Sequence, residues 1–433
     1  MIKAEFELSS PLCVSSGEGT AADKDVILDY KGRPFIPGTS IAGALRAYLP
    51  EKERKSAFGY ADANASCESQ IIVYDAPIEQ GYISVRDGVA LDSGKIAEDT
   101  AKYDYEIVET GALVTIRLQL TRHKPIRNPD AADKTPPAQP AGIDTLIESA
   151  RGLINGITNG DIRFGAKKTR GLGRLALRKA LCEDFTQENA RDYINFKWSD
   201  MKKPFILTDG FQSKMRKYVI PLELLGGLSI RSYSSRIDGP DFTQLSIKNG
   251  RTNSPVIPGS TWNGAFRHRA YDILTELGLS RDDAEKKLRL AFGEKAESDK
   301  AGDVKGGASR IVFSESIIKN GKWAPVTRNR INRFDGSTMK GALYTELSYF
   351  GGECALEVFM PEDSGFDWMW GLVLLTLKDL ENGFLAIGGQ TAVGRGLFGV
   401  TKPLGEIIAG NDQQKYIDAL NMALGSGGIT VEA

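Results

Sequence analysis

The stretch Phe35-Ile-Pro-Gly-Thr-Ser-Ile-Ala-Gly-Ala-Leu-Arg46 returns, block for block, as Val256-Ile-Pro-Gly-Ser-Thr-Trp-Asn-Gly-Ala-Phe-Arg267. Each copy reads as an extended apolar pair, a Pro-Gly turn and a helix whose first turns end in arginine. Proline fixes φ and glycine permits a tight bend, so the backbone passes from strand to helix within two residues. Ser40 or Thr39 in the first copy, and Ser260 or Thr261 in the second, can cap the free N–H groups. A helix N-terminus of this kind can also hold a phosphate. One copy alone is an ordinary strand-to-helix turn. Two copies about 220 residues apart, each followed by the same further blocks, demand a duplicated domain rather than a short-period solenoid.

Those further blocks keep their order. Ile2 to Leu12 alternates as a strand does, and Lys217-Tyr-Val-Ile-Pro-Leu-Glu-Leu-Leu225 restarts the pattern. A glycine-rich loop follows from Ser15 through Asp23 and Asp25 to Asp29; its counterpart runs from Ser234 through Asp238 and Asp241 to Ile247. After the Pro-Gly helices come Ala57-Phe-Gly59 and Ala291-Phe-Gly293, then a strand in each half, Ile71 to Ala76 and Arg310 to Glu315. Strands at Gly111 to Leu118 and Gly352 to Phe359 precede amphipathic helices around Leu146, Ala150 and Leu153, and around Leu372, Leu377 and Leu380. Each half closes on a glycine loop, Phe164 to Leu175 and Gly388 to Phe398. Two polar insertions, Arg122 to Pro140 and Glu294 to Gly307, read as surface loops. The expected domains are 1–182 and 213–404, joined by a linker at 183–212 and followed by a C-terminal helix and tail at 405–433.

Composition narrows the chemistry. The chain holds 55 Lys+Arg against 56 Asp+Glu, a net charge of −1, so any nucleic-acid contact must come from local patches rather than a general basic surface. Four scattered cysteines have no zinc spacing, and two histidines leave no room for a His-based metal cage or a His-pair nuclease. The first residues alternate like a strand, without a signal-peptide core, and no run reaches transmembrane length. The expectation is a cytoplasmic protein with no membrane partner. In the closing loops, Gly171, Gly173, Gly394 and Gly396 permit close backbone approach while Lys167, Lys168, Arg170, Arg174 and Arg395 supply charge. That combination reads as a phosphate cradle or as a plain turn with solvated cations. No Gly-Lys-Ser/Thr follows, so it is not a nucleotide P-loop.

Taken together, Asp23-Lys-Asp-Val-Ile27, the two Pro-Gly blocks, the Phe-Gly pairs, Asp335-Gly to Gly341-Ala-Leu-Tyr344 and Thr169-Arg-Gly-Leu-Gly-Arg174 resemble the RAMP superfamily, specifically the backbone subunits of type III CRISPR effector complexes. The tandem form resembles the fused double-backbone subunit of the type III-D group. The resemblance implies an α+β chain of two RRM-like, ferredoxin-type domains, each with an inserted thumb hairpin, at about Arg86–Glu106 and Arg328–Glu346. In the family the thumb inserts between guide and target strands and displaces one base pair per subunit. The implied partners are a CRISPR guide RNA, its target RNA and the other subunits of the complex.

The same resemblance implies that an aspartate in the loop before the Pro-Gly block serves metal-dependent cleavage of target RNA. Asp23 is the match in the first half, with Asp25 and Asp29 as alternatives; in the second half Asp241 competes with Asp238. A lone carboxylate without a histidine partner suits Mg²⁺ or another hard divalent cation, held weakly and mostly through water by Asp23 and Asp241. RNA contacts are expected from Ser40, Arg46, Lys167, Lys168, Arg170, Gly171, Gly173 and Arg174 in the first half. In the second they are expected from Ser260, Arg267, Arg328, Arg330, Arg333, Gly394, Arg395 and Gly396, with Lys340 adding charge to the thumb. Neither half shows the aromatic RNP pattern, so binding should follow shape and backbone while the guide reads sequence. Three functions stay open: a backbone subunit that also acts as an endoribonuclease, a non-catalytic scaffold of the same complex, and a guide-processing RAMP endoribonuclease.

Overall fold

A computed structural model describes the chain except residues 16, 18–21, 92–96, 129–140, 208–209, 234–238, 250–251, 295–296, 299–303, 306 and 426–433. Asp238 and much of both polar insertions therefore lie outside the described residues. The chain divides into two units. The first is Met1–Ala90, Asp99–Lys168 and Leu172–Ser213; the second is Leu91–Glu98, Thr169–Gly171 and Lys214–Ala433.

In the first unit the alternating strand Ile2–Leu8 buries Ile2, Ala4, Phe6 and Leu8 and leaves the residues between half-covered. It pairs antiparallel with Leu113–Leu120 on one side, Phe6 opposite Val114, and with Leu175–Cys182 on the other. Ile71–Val73 and Ala76–Glu79 extend the sheet beyond Leu113–Leu120. The spatial order is thus closing strand, first, third, second. The helices Gly38–Tyr48 and Ile143–Asn159 supply Ile41, Leu45, Leu146, Ala150 and Leu153 to the same core. This is the RRM-like βαββαβ arrangement.

The second unit repeats it. Phe398–Val400, Met215–Leu224, Glu353–Pro361 and Val312–Phe313 form the four-stranded sheet in the same order, all antiparallel. The helices Gly259–Glu276 and Asp367–Glu381 bury Trp262, Phe266, Leu372 and Leu377 against it.

Between the second and third strands of each sheet lies a hairpin, as the thumb expectation requires. In the first half of the chain Ile83–Leu91 pairs with Ala97–Val108. In the second, Lys322–Arg328 pairs with Tyr344–Phe350, from Lys322 opposite Phe350 to Arg328 opposite Tyr344. The segment Arg328–Glu346 is therefore only the outer part of that hairpin.

Three local expectations change. The residues preceding the Pro-Gly helices are Pro37 and Pro258, and no side chain of Ser40, Thr39, Ser260 or Thr261 caps them. The Gly38 N–H is instead donated to Asp75 Oδ1 at 2.7 Å. The Pro-Gly glycine is there for space: a Cβ on Gly38 would meet Val73 O at 2.7 Å, and one on Gly259 would meet Phe313 O at 2.3 Å. Within the 183–212 linker some described residues pack. Lys203–Pro204 adds an edge strand to Leu175–Cys182, Met201 and Phe205 are buried, and Phe185, Tyr193, Phe196 and Trp198 make edge-to-face contacts. The C-terminal helix, Gly410–Leu424, also belongs to a core, with Tyr416 and Leu420 fully buried against the Asp367–Glu381 helix.

Candidate nucleic-acid interface and aspartate loops

Backbone hydrogen bonds fix which residues correspond. Ile27 N–H donates to Val14 O at 2.9 Å, and Leu245 N–H to Ile230 O at 2.7 Å. Ser15 pairs with Val26 as Arg231 pairs with Gln244. Counting back four residues from Ile27 and Leu245 reaches Asp23 and Asp241. The two aspartates also make the same two-way contact, each with its own hairpin strand. Asp104 N–H donates to Asp23 Oδ2 at 3.0 Å, while Asp23 N–H returns a bond to Asp104 Oδ1 at 2.9 Å. Thr345 N–H donates to Asp241 Oδ2 at 2.8 Å, while Asp241 N–H returns a bond to Thr345 O at 2.9 Å. Each exposed aspartate is thus clasped to its hairpin's second strand. By this register Glu346 corresponds to Tyr105, not to Glu106.

The alternatives in the first loop have other tasks. Asp25, half-buried, accepts the Ala22 N–H at 2.8 Å and closes its own turn. Asp29 accepts the N–H groups of Arg33 and Lys31 and the Arg33 guanidinium. The Arg33 N–H first, then its guanidinium and the Lys31 N–H, hold this carboxyl below the usual carboxylate range.

The glycine loops superpose in conformation. Phe164 N–H to Gly173 O (2.9 Å) closes one and Ile387 N–H to Gly396 O (2.8 Å) closes the other. Positive φ falls at four matched positions: Gly165, Lys167, Gly171 and Gly173 in the first, Gly388, Gln390, Gly394 and Gly396 in the second. A Cβ on Gly173 or Gly396 would stand 1.9 Å from the carbonyl oxygen of Phe164 or Ile387. The close approach these glycines permit is therefore to the loop's own backbone. At the second matched position Lys167 Nζ lies 4.3 Å from the ring centres of Tyr103 and Tyr105 and donates to Tyr103 Oη at 3.1 Å. Gln390 Nε2 donates to Glu346 Oε2 at 2.7 Å. The same loop position thus meets the second hairpin strand in both units.

In the first unit these parts enclose a cleft of about 450 Å³. Ser15 and Lys24 of the aspartate loop, Thr39 and Ser40 of the Pro-Gly helix, and Arg163 and Lys168 of the glycine loop line it. Burial pushes the Cys13 thiol at its wall upward, against the opposing pull of Lys167 and Lys24.

The remaining expected contacts are dispersed. Arg46 Nη1 donates to Phe58 O at 3.4 Å, at the end of the helix Glu51–Phe58, and Arg267 is ion-paired with Glu285. Arg174 ties the loop exit to the first strand through its backbone, its N–H to Ser10 Oγ and its carbonyl to Ser9 N–H. Ser260 is exposed on the first turn of its helix, and Arg170 is half-buried in the turn Lys168–Arg170. Arg328 ends the first hairpin strand, and Arg330, Arg333 and Lys340 are exposed beyond it, around a fully open Phe334. Arg395 is 7% exposed, with its guanidinium 4.5 Å from the Phe350 ring centre. Burial first, then the neighbouring Arg328, lowers its basicity. Its charge is not offered to solvent as a cradle would require.

Among the described residues no group of three or more His, Cys, Asp or Glu side chains could hold a metal. Asp23 and Asp104 bring two carboxylates together, a hard oxygen donor set that fits a largely hydrated divalent cation; Asp241 offers one carboxylate. Asp104, Thr345, Lys24, Arg163 and Asp75 were not marked by any local sequence pattern.

A family model described as the RAMP superfamily matches residues 5–176 and 242–399. No curated protein matches the chain. Among solved structures, a chain in the cryo-EM structure of the Type III-B Cmr-beta bound to cognate target RNA is similar at 15% identity, with a TM-score of 0.29. That likeness covers 41% of this chain and 58% of that one, too loose a match to argue from. No helix among the described residues is long and apolar enough to cross a membrane.

Proposed function

Because the chain belongs to the RAMP superfamily in both of its halves, we propose that it is the guide-RNA-binding backbone subunit of a type III CRISPR effector complex, in the tandem form of the type III-D group, and that it also cleaves the paired target RNA. Its partners in that role are the guide, the target and the other subunits, in the cytoplasm. The observation that carries the reading is the repeated clasp, which sets an equivalent exposed aspartate against the second strand of each hairpin.

The reaction is attack of a ribose 2′-hydroxyl, which gives up its proton, on the adjacent phosphate; the new P–O2′ bond closes a 2′,3′-cyclic phosphate as the P–O5′ bond breaks and the 5′-oxygen leaves and takes up a proton. The hairpin N–H groups of Asp104 and Thr345 orient the carboxylates of Asp23 and Asp241 by taking one lone pair each. A divalent cation, when bound, offsets negative charge on the reacting phosphate. Asp23 with Asp104 would hold it in the first unit and Asp241 in the second.

A second reading rests on the same bonds: each aspartate is a structural clasp in a non-catalytic scaffold. Variants of the assembled complex separate the two. Asp23→Asn and Asp241→Asn keep a side-chain oxygen for the hairpin N–H and remove the charge. Under the catalytic reading each abolishes one target cut and leaves the other, with guide binding unchanged. Normal cutting by Asn and Ala variants at both positions would make the chain a scaffold.

A further inference from the structure

One cation in the second unit is held in place without spending its hydrogen bonds. Arg231 begins the strand Arg231–Tyr233, which runs antiparallel to Phe242–Gln244 with Arg231 opposite Gln244. Its guanidinium lies 4.4 Å from the ring centre of Phe242, the residue after Asp241. It also lies 4.0 Å from the carboxylate of Glu346, the residue after Thr345. Asp241 and Thr345 are the two members of the clasp. Arg231 therefore rests on the residue that follows each of them. Counted from the clasp, Phe242 stands where the first unit has Lys24.

Both supports are fixed. Phe242–Gln244 runs parallel to Tyr344–Phe350, with Phe242 opposite Glu346. Glu346 is buried, and its two carboxylate oxygens accept from Ser229 Oγ and from Gln390 Nε2, the latter at 2.7 Å. At 4.0 Å it attracts Arg231 by charge and makes no hydrogen bond with it. The Phe242 ring holds the planar group by its face. Among the described residues the guanidinium donates to no partner, and the side chain is 40% exposed. Its N–H donors thus stand oriented in advance and open to solvent, one residue along from a clasped carboxylate.

We infer that Arg231 is a catalytic residue of the second site. Its guanidinium donates hydrogen bonds to a non-bridging oxygen of the scissile phosphate and offsets the charge that builds there as the 2′-oxygen attacks. The inference rests on the cleavage reading above. Arginine stays protonated, so it takes no proton from the 2′-hydroxyl and gives none to the 5′-oxygen. The bonds that form and break are those of the reaction already written. Donors fixed beforehand need no reorganisation as charge develops, so they act on rate more than on affinity.

The test uses the assembled complex with its guide and a labelled target RNA, following each cut in single turnover and measuring target affinity separately. Asp241→Asn identifies the cut that belongs to the second unit. Arg231→Ala should slow that cut about a hundredfold to a thousandfold, the usual loss on removing one such donor. The other cut and the target affinity should not change. Arg231→Lys, which keeps the charge without the planar fork or the stack, should fall between the two. If Asp241→Asn removes a cut and Arg231→Ala leaves that cut at the wild-type rate, the assignment of Arg231 is overturned and the cleavage reading stands. If Arg231→Ala weakens target binding, or slows both cuts alike, the arginine is a binding or folding contact and the assignment is equally overturned. If Asp241→Asn leaves every cut intact, the cleavage reading fails for the second unit and takes the proposal with it.

Discussion

Replacing Gly396 by alanine should damage the second glycine loop far more than replacing Gly394, although both glycines have positive φ, 75° and 79°. A left-handed backbone costs an alanine about 1–2 kcal/mol wherever it occurs. At Gly394 nothing lies within 4 Å of the added Cβ, so the cost stops there. At Gly396 the Cβ would stand 1.9 Å from Ile387 O. A backbone carbonyl cannot swing away as a side-chain tip can, and the N–H of the same residue is held by the bond to Gly396 O that closes the loop. Overpacking of this kind adds about 1–3 kcal/mol. The expected totals are about 3.5 kcal/mol for Gly396→Ala and about 1.5 for Gly394→Ala. For domains of about 150–250 residues each kcal/mol lowers Tm by about 2–4 °C, which gives falls of about 10 °C and about 5 °C. Calorimetry on the full chain reads both. Equal shifts would refute the close approach and, with it, the claim that the loop's glycines serve its own closure.

Other expectations follow from single contacts. Arg86 and Glu109 form an ion pair at 3.2 Å at the root of the first hairpin, with side chains 5% and 2% exposed. Arg86→Ala strands the carboxylate and should cost about 3–5 kcal/mol in denaturant titration; a loss below about 1 kcal/mol would show that water reaches the site. Burial pushes the Cys354 thiol up to about 12. At pH 8 it should therefore alkylate with iodoacetamide at least tenfold more slowly in the folded chain than in urea. The Asp29 carboxyl is depressed in the fold, so its turn is supported above the unfolded carboxylate range and loses that support as pH falls through the lower, folded value. NMR titration of Asp29 should show the lowered midpoint, and Arg33→Ala should raise it.

The sheet cores were legible because burial there follows a local period. Ile2, Ala4, Phe6 and Leu8 alternate in sequence and in burial, and the Pro-Gly blocks mark both helix starts. The duplicated order of blocks carried the rest of the βαββαβ plan. The clasp was not legible, because Asp23 meets Asp104 across 81 residues and Asp241 meets Thr345 across 104. No periodicity connects such positions, and the two partners are not even the same residue type. Arg395 misled for a different reason. An arginine between glycines reads as a phosphate cradle, yet its side chain is long enough to turn inward and stack on Phe350. Arg267, likewise solvent-facing by position, is taken by Glu285 on the next helix.

The clasp also explains how the halves can diverge in charge while keeping their aspartates. What the hairpin supplies to Asp23 and Asp241 is a backbone N–H, which any residue but proline provides, so Asp104 and Thr345 serve equally. The carboxylate's orientation therefore needs only a backbone N–H, although in the first unit the Asp104 carboxylate also takes the Asp23 N–H. Lys24 can become Phe242, and Lys167 on two tyrosine rings can become Gln390 on Glu346, with the loop geometry intact. Those exchanges change how strongly a polyanion is held and leave the aspartate where it was. It follows that Thr345→Pro, which deletes the N–H, should disorganise the second aspartate loop. Thr345→Ala should leave it in place, and amide exchange at Asp241 reads the difference. If the alanine variant loosens Asp241 as much as the proline does, the aspartate is held by the threonine side chain and not by the backbone.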